Sequence, residues 1–213
     1  MKIVRKTVEA VLITVALAGL SAAQANTVSG RLWHVPEATT QNAIPANVPS
    51  STPDVTFDVN SPLNFFGTGV SVGTWLSSGS AFNVVENTAG TLLSAMDNGV
   101  VGTLFQFTGF VTVSNGQTFT VTHDDGLTLI IGGLDLGFAT GPTAPVISTE
   151  TYTGPSGTFG FELVYAECCG GAAVLQVDLP FSNVPNDTPE PGSLALIGMA
   201  LAGIGWSSRR RVN

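Results

Sequence analysis

Between its two ends this sequence has almost no positive charge. Of seven lysines and arginines, Lys2, Arg5 and Lys6 stand at the front and Arg209, Arg210 and Arg211 at the back, which leaves Arg31 alone in the body. Setting aside Glu9 and Glu190, thirteen of the fifteen acids fall in that body, so its formal charge is near −12. A surface of that sign repels a phosphate backbone, which excludes nucleic acid as a partner. It suits cations, or neutral ligands held through a cation. A body with no lysine and one arginine also leaves few catalytic options. The chain is expected not to be an enzyme.

Cysteine is nearly as scarce. The two cysteines are adjacent, Cys168-Cys169, and Gly170-Gly171 follows them. Export would favour their oxidation, which leaves a vicinal disulfide, an intermolecular bond or two free thiols. The glycines allow the tight turn that a vicinal ring needs, and so favour it. Two thiols and two scattered histidines do not make a four-ligand zinc site.

The front has the three parts of a secretory signal peptide: the basic residues Lys2, Arg5 and Lys6, an apolar run from Val11 to Leu20, and Ala23-Gln24-Ala25 as an A-x-A cleavage site. The expected organisation is a signal peptide over 1–25, one domain over 26–184 and a C-terminal tail over 185–213. A body of that size fits a single domain.

Helix-period patterning is missing from the body, which is rich in Thr, Val, Phe, Gly and Ser, the chemistry of strands and turns. "TVSGRLWHV" reads as an opening strand. The stretch from Pro36 to Pro62 carries five prolines and reads as loop, with a short strand at "DVTFDV". In "GTLFQFTGFVTV", Phe105, Phe107, Val111 and Val113 share one face. Asn115-Gly116 marks a hairpin turn. Phe119, Val121 and His123 then alternate with Thr118, Thr120 and Thr122, and Asp124-Asp125-Gly126 turns the chain into "LTLII". Later, Phe159, Phe161, Leu163 and Tyr165 point inward with Glu162 outward, as do Leu175, Val177 and Leu179. One-faced antiparallel strands need a second sheet to cover them, so the expectation is an all-β, jelly-roll-like antiparallel β-sandwich. His123 lies in register with Phe119 and Val121 and reads as a half-buried strand histidine. The three threonines of that strand reflect ordinary β-propensity, since an ice-binding face would want a repeated array.

"QTFTVTHDDGLTLIIGG" followed by "FELVYAECCGGAAVLQVDL" resembles the protective-antigen-type β-sandwich of flocculin-like calcium lectins, over roughly residues 100–180. In that family an Asp pair coordinates calcium and the ion grips sugar hydroxyls. The resemblance implies this role for Asp124 and Asp125, with calcium as cofactor and exopolysaccharide or another glycan as ligand. Two carboxylates at a strand end supply hard oxygens, and Gly126 permits the turn that aims them together. Asp-Asp-Gly also serves as a plain hairpin turn. The chain departs from the family where Gly132 stands in the second turn, with Asp135 downstream.

The tail resembles the PEP-CTERM sorting signal in all three parts: Pro189-Glu190-Pro191, an apolar run from Ser193 to Trp206, and Arg209-Arg210-Arg211. The resemblance implies export across the inner membrane of a Gram-negative bacterium. It also implies transient anchoring by a transmembrane segment at about 193–208, recognition by an exosortase-type membrane protease, and a place at the cell surface or in an exopolysaccharide matrix associated with biofilm. The physical chemistry agrees with a temporary anchor. Fourteen helical residues at ~1.5 Å each reach about 21 Å, short of the ~30 Å hydrocarbon core, and the arginines would stay cytoplasmic.

Overall fold

The structure is a computed structural model, and it describes residues 27–88, 92–94, 100–179 and 181–182. The signal helix and the transmembrane tail expected from the sequence lie outside the described residues. Among the described residues no helix is long and apolar enough to cross a membrane.

The strands are β1 (Thr27–His34), β2 (Val55–Asn60), β3 (Leu63–Thr68), β4 (Phe82–Glu86), β5 (Thr103–Val113), β6 (Thr118–His123), β7 (Leu127–Ile131), β8 (Leu134–Asp135), β9 (Val146–Thr151), β10 (Gly157–Glu167), β11 (Ala172–Val177) and β12 (Phe181–Ser182). They form two sheets, as the one-faced alternation requires. The larger runs β4-β2-β1-β5-β10-β7-β8 with β12 added alongside β5, and the smaller runs β3-β11-β6-β9. Every recorded pairing is antiparallel.

The inward residues of both sheets meet in one core. Phe105, Phe107, Val111, Phe161, Leu163 and Tyr165 from the larger sheet pack against Phe65, Phe119, Val121, Leu175 and Val177 from the smaller. A second apolar cluster of Trp33, Val35, Ala43, Leu104, Val164 and Ala166 lies apart from it. The Pro36–Pro62 stretch is less plain than its prolines suggest. It holds a single turn of helix, α1 (Glu37–Thr40), and a 3₁₀ turn at Pro45–Asn47.

A second helix was not expected. α2 (Val72–Ser78) buries Val72, Trp75 and Leu76, spaced i, i+3, i+4 on one face, and Ser71 caps it by accepting the Thr74 amide at 3.2 Å. One period is too short to register against a strand-rich background. Even so, Trp75 becomes the centre of the aromatic core. It stacks on Phe65 at 4.4 Å between centroids and donates its indole N–H to the Ala173 carbonyl at 3.1 Å.

Two turns also differ from expectation. Asn115-Gly116 does not close a hairpin: β5 belongs to the larger sheet and β6 to the smaller, so the turn carries the chain across the sandwich. Gly116, at φ 81°, supplies the left-handed residue, and its amide bonds the Tyr152 carbonyl at 2.8 Å. Asp124-Asp125-Gly126 likewise leads from β6 in the smaller sheet to β7 in the larger, which removes the plain hairpin reading of that triplet. The two-residue hairpin of this region is Gly132-Gly133, both at positive φ, between Ile131 and Leu134.

Candidate functional site

The crossing from β6 to β7 places Asp124 and Asp125 at one end of the sandwich, both buried. Asp125 sits at φ 55°, a left-handed conformation that Asp tolerates better than most residues. Its carboxylate ties two other segments to the turn. Oδ1 accepts the Thr143 amide at 3.2 Å and Oδ2 accepts the Cys168 amide at 2.7 Å. Among the described residues Asp124 accepts only its neighbour's amide, through Oδ1 at 3.1 Å. The two residues line an open pocket of about 350 Å³. One wall is the Pro142–Pro145 loop and the other is the Cys169–Ala172 loop.

That second wall begins with a disulfide between Cys168 and Cys169. Cys168 is buried, whereas Cys169 is exposed at φ 64° and accepts a 3.4 Å contact from the Gln41 amide. Gly170 and Gly171 continue at positive φ, the conformations that the sequence reserved for them.

His123 is fully buried, not half-buried as its alternation suggests, because it lies on the inward face of β6 with Phe119 and Val121. The Asp125 carbonyl can only accept, so His123 Nδ1–H donates to it at 2.8 Å, and Nε2 accepts the Ser148 hydroxyl at 2.9 Å. Burial lowers its pKa, and the imidazole stays neutral. Both ring nitrogens are committed, so the residue is a structural tie.

Sequence reasoning missed Glu167. The inward alternation Phe161, Leu163, Tyr165 extends to it, and that was the available signal. It is buried and accepts the Tyr165 hydroxyl on Oε2 at 2.6 Å. Burial, with the charges of Asp125 and Asp124 nearby, pushes its pKa up to about 8. Asp124 is raised to about 6, by burial first and Asp125 second, and Asp125 is raised by burial against its amide hydrogen bonds. The end of the sandwich is therefore a region of frustrated negative charge with no buried cation among the described residues. No group of three or more His, Cys, Asp or Glu among the described residues is arranged to hold a metal.

The architecture is similar to that of solved PA14 domains. The PA14 sugar-binding domain from an RTX adhesin superposes with a TM-score of 0.53 and 18% identity, covering 74% of this chain and 91% of that one. The PA14 domain of the MpAFP antifreeze protein gives 0.51 and 21%, covering 79% and 89%. The tail is assigned separately: residues 187–211, which include Pro189, Glu190, Pro191 and the three arginines, match the PEP-CTERM protein-sorting motif. No curated protein matches the chain.

Proposed function

We propose that this is an exported, non-enzymatic protein of the cell surface or exopolysaccharide matrix, a single β-sandwich sorted through its C-terminal tail. The observation that carries the reading is the sorting motif at 187–211 behind a PA14-like body. Export begins at the 1–25 signal sequence. The tail anchors the chain transiently in the inner membrane of a Gram-negative bacterium, and an exosortase-type protease acts near Pro189-Glu190-Pro191. The non-enzymatic reading is supported by His123, which is fully buried with both ring nitrogens engaged, Nδ1 on the Asp125 carbonyl and Nε2 on the Ser148 hydroxyl. The test is an epitope-tagged chain expressed with and without exosortase. The expected result is a surface product shortened by the tail only when the protease is present. A surface product that keeps Arg209, Arg210 and Arg211 in both hosts overturns the sorting reading.

A second reading is favoured by the pocket: calcium-dependent carbohydrate binding through Asp124 and Asp125. The donor set fits calcium in part. Asp124 has oxygen capacity free, and each Asp125 oxygen keeps a lone pair after accepting one amide. Calcium takes six to eight oxygens, so backbone carbonyls, water and ligand hydroxyls would complete the shell. A shell left incomplete by the protein is what a bridging ion needs in order to hold a sugar. Calorimetric titration with calcium tests this. No heat, or unchanged binding in Asp124→Asn/Asp125→Asn, overturns it.

A further inference from the structure

The outer face of the smaller sheet has a composition unlike the rest of this acidic body. Register places Asn64 opposite Gln176, Gln176 opposite Thr122, and Thr122 opposite Ile147, a single row across all four strands. Gln176 Nε2 donates to Asn64 Oδ1 at 2.9 Å, which orients both amides. That bond uses one acceptor and one donor. It leaves the Asn64 NH₂, the Gln176 carbonyl and the Thr122 hydroxyl available to a ligand. In the adjacent row Thr120 shares a hydrogen bond with Thr149 at 3.2 Å.

A groove of about 480 Å³ runs over these side chains, and Pro62 and Asp178, which lie just past the Leu63–Val177 pair on one side of the amide row, also line it. Among the described residues that line it, Asp178 alone is charged. The two most exposed large apolar side chains among the described residues also lie on this face: Ile147 at 69%, at the end of the amide row, and Phe66 at 56%, two residues beyond Asn64 on β3. Singly exposed apolar residues are ordinary. Two that flank an oriented amide–hydroxyl row over a groove form a surface with apolar margins and a hydrogen-bonding centre.

We propose that this face is a binding groove for a neutral, unbranched polysaccharide chain. Vicinal hydroxyls on such a chain both donate and accept, which matches an amide row offering both, and its C–H faces match Phe66 and Ile147. A body charge near −12 repels an anionic polymer, and a single carboxylate is too little to hold a cationic one. The site uses neither Asp124 nor Asp125, so it needs no metal and stands apart from the pocket at the end of the sandwich.

The test is retention of the full chain, held in mild detergent, on insoluble cellulose, chitin and β-1,3-glucan, with alginate beads as the anionic comparison. Retention is expected on at least one neutral polymer and not on alginate. Asn64→Ala and Gln176→Ala should each weaken it about fivefold, the loss expected for one or two net hydrogen bonds. Asp124→Asn/Asp125→Asn and chelator should leave it unchanged. Because Asn64 and Gln176 are exposed, these substitutions leave the core intact, and a melting curve checks this. The proposal is overturned by no retention on any neutral polymer, by equal retention on alginate, or by amide variants that bind as well as the parent. Retention lost only with the aspartates or with chelator would assign the binding to the end pocket and overturn it too. So would a dimer in sedimentation that Ile147→Lys dissolves in a chain no polysaccharide retains, since the face would then belong to a second copy.

Discussion

The Cys168 amide donates to Asp125 Oδ2 at 2.7 Å, and the same carboxylate takes the Thr143 amide on its other oxygen. One side chain thus pins the end of β10 and the 142–145 loop to the turn between the sheets. Asp125→Ala would leave two amides without their acceptor, at a cost of about 1–3 kcal/mol. Alanine also tolerates the φ of 55° less well, which adds in the same direction. Asp124→Asn should be neutral or mildly stabilising, because it removes a buried carboxylate whose pKa is pushed to about 6. Urea unfolding at pH 7.5 measures both, and the opposite order would refute this account of the turn.

Glu167 gives the domain an unusual pH dependence. Its pKa rises from 4.5 unfolded to about 8 folded, so the folded state binds more protons across that window. Stability therefore falls as pH rises from about 4.5 to 8 and is flat above. Asp124 adds the same sign between 3.8 and about 6. His123, whose folded pKa is lowered, acts oppositely below 6.5, so the cleanest window is pH 6.5 to 8.5. The melting temperature should drop across it, and Glu167→Gln, which still accepts from Tyr165, should flatten the drop and raise the melting temperature at pH 8.5. A flat parent profile would show that Glu167 is solvated.

Much of the fold is legible because its inner faces follow a strict two-residue period. Phe105, Phe107, Val111, Leu163, Tyr165, Leu175 and Val177 are all buried as alternation requires. What could not be read is which strands pair. Asn115-Gly116 encodes a tight reversal, and the local chain cannot say whether the next strand returns to the same sheet or crosses to the facing one. Here it crosses, since Thr118 pairs with Thr151 and not with β5. The site shows the same limit. Asp124 and Asp125 stand out as a pair in a strand-end turn, but Thr143, 18 residues on, and Cys168, 43 residues on, meet Asp125 only through topology.

The cysteine ring has a direct chemical test. Native, unreduced protein should take up no alkylating reagent, and its intact mass should gain two labels only after reduction. Cys169, Gly170 and Gly171 all hold positive φ, and Cys169 does so without glycine's freedom. Reduction should therefore raise hydrogen exchange in residues 169–172 first, with the β10 core unchanged. Two labels on native protein would show that the thiols are free.

Gly126 and Gly116 separate two reasons for glycine. A Cβ at Gly126 would stand 2.0 Å from the Thr140 carbonyl oxygen, a backbone atom that cannot swing away. At Gly116 it would meet nothing within 4 Å, and only the φ of 81° resists it. Gly116→Ala should cost about 1 kcal/mol. Gly126→Ala should cost more, at least the 1–3 kcal/mol typical of overpacking, and should loosen the 139–143 segment in hydrogen exchange. Equal costs would contradict this distinction.

Calcium at the end pocket, on the second reading of function, must compete with protons. Asp124 is half protonated near pH 6, since burial and the charge of Asp125 both disfavour its ionised form. A divalent cation offsets that repulsion, so binding releases the proton. Affinity should be nearly constant above about pH 7 and fall about tenfold per pH unit once the solution is well below 6, one proton displaced per ion. Asp124→Asn should weaken binding and remove that slope together. Calorimetry in two buffers of different ionisation enthalpy counts the proton directly at pH 6. Calcium binding with no proton released, and no change of affinity from pH 7.5 to 5, would place the ion away from Asp124.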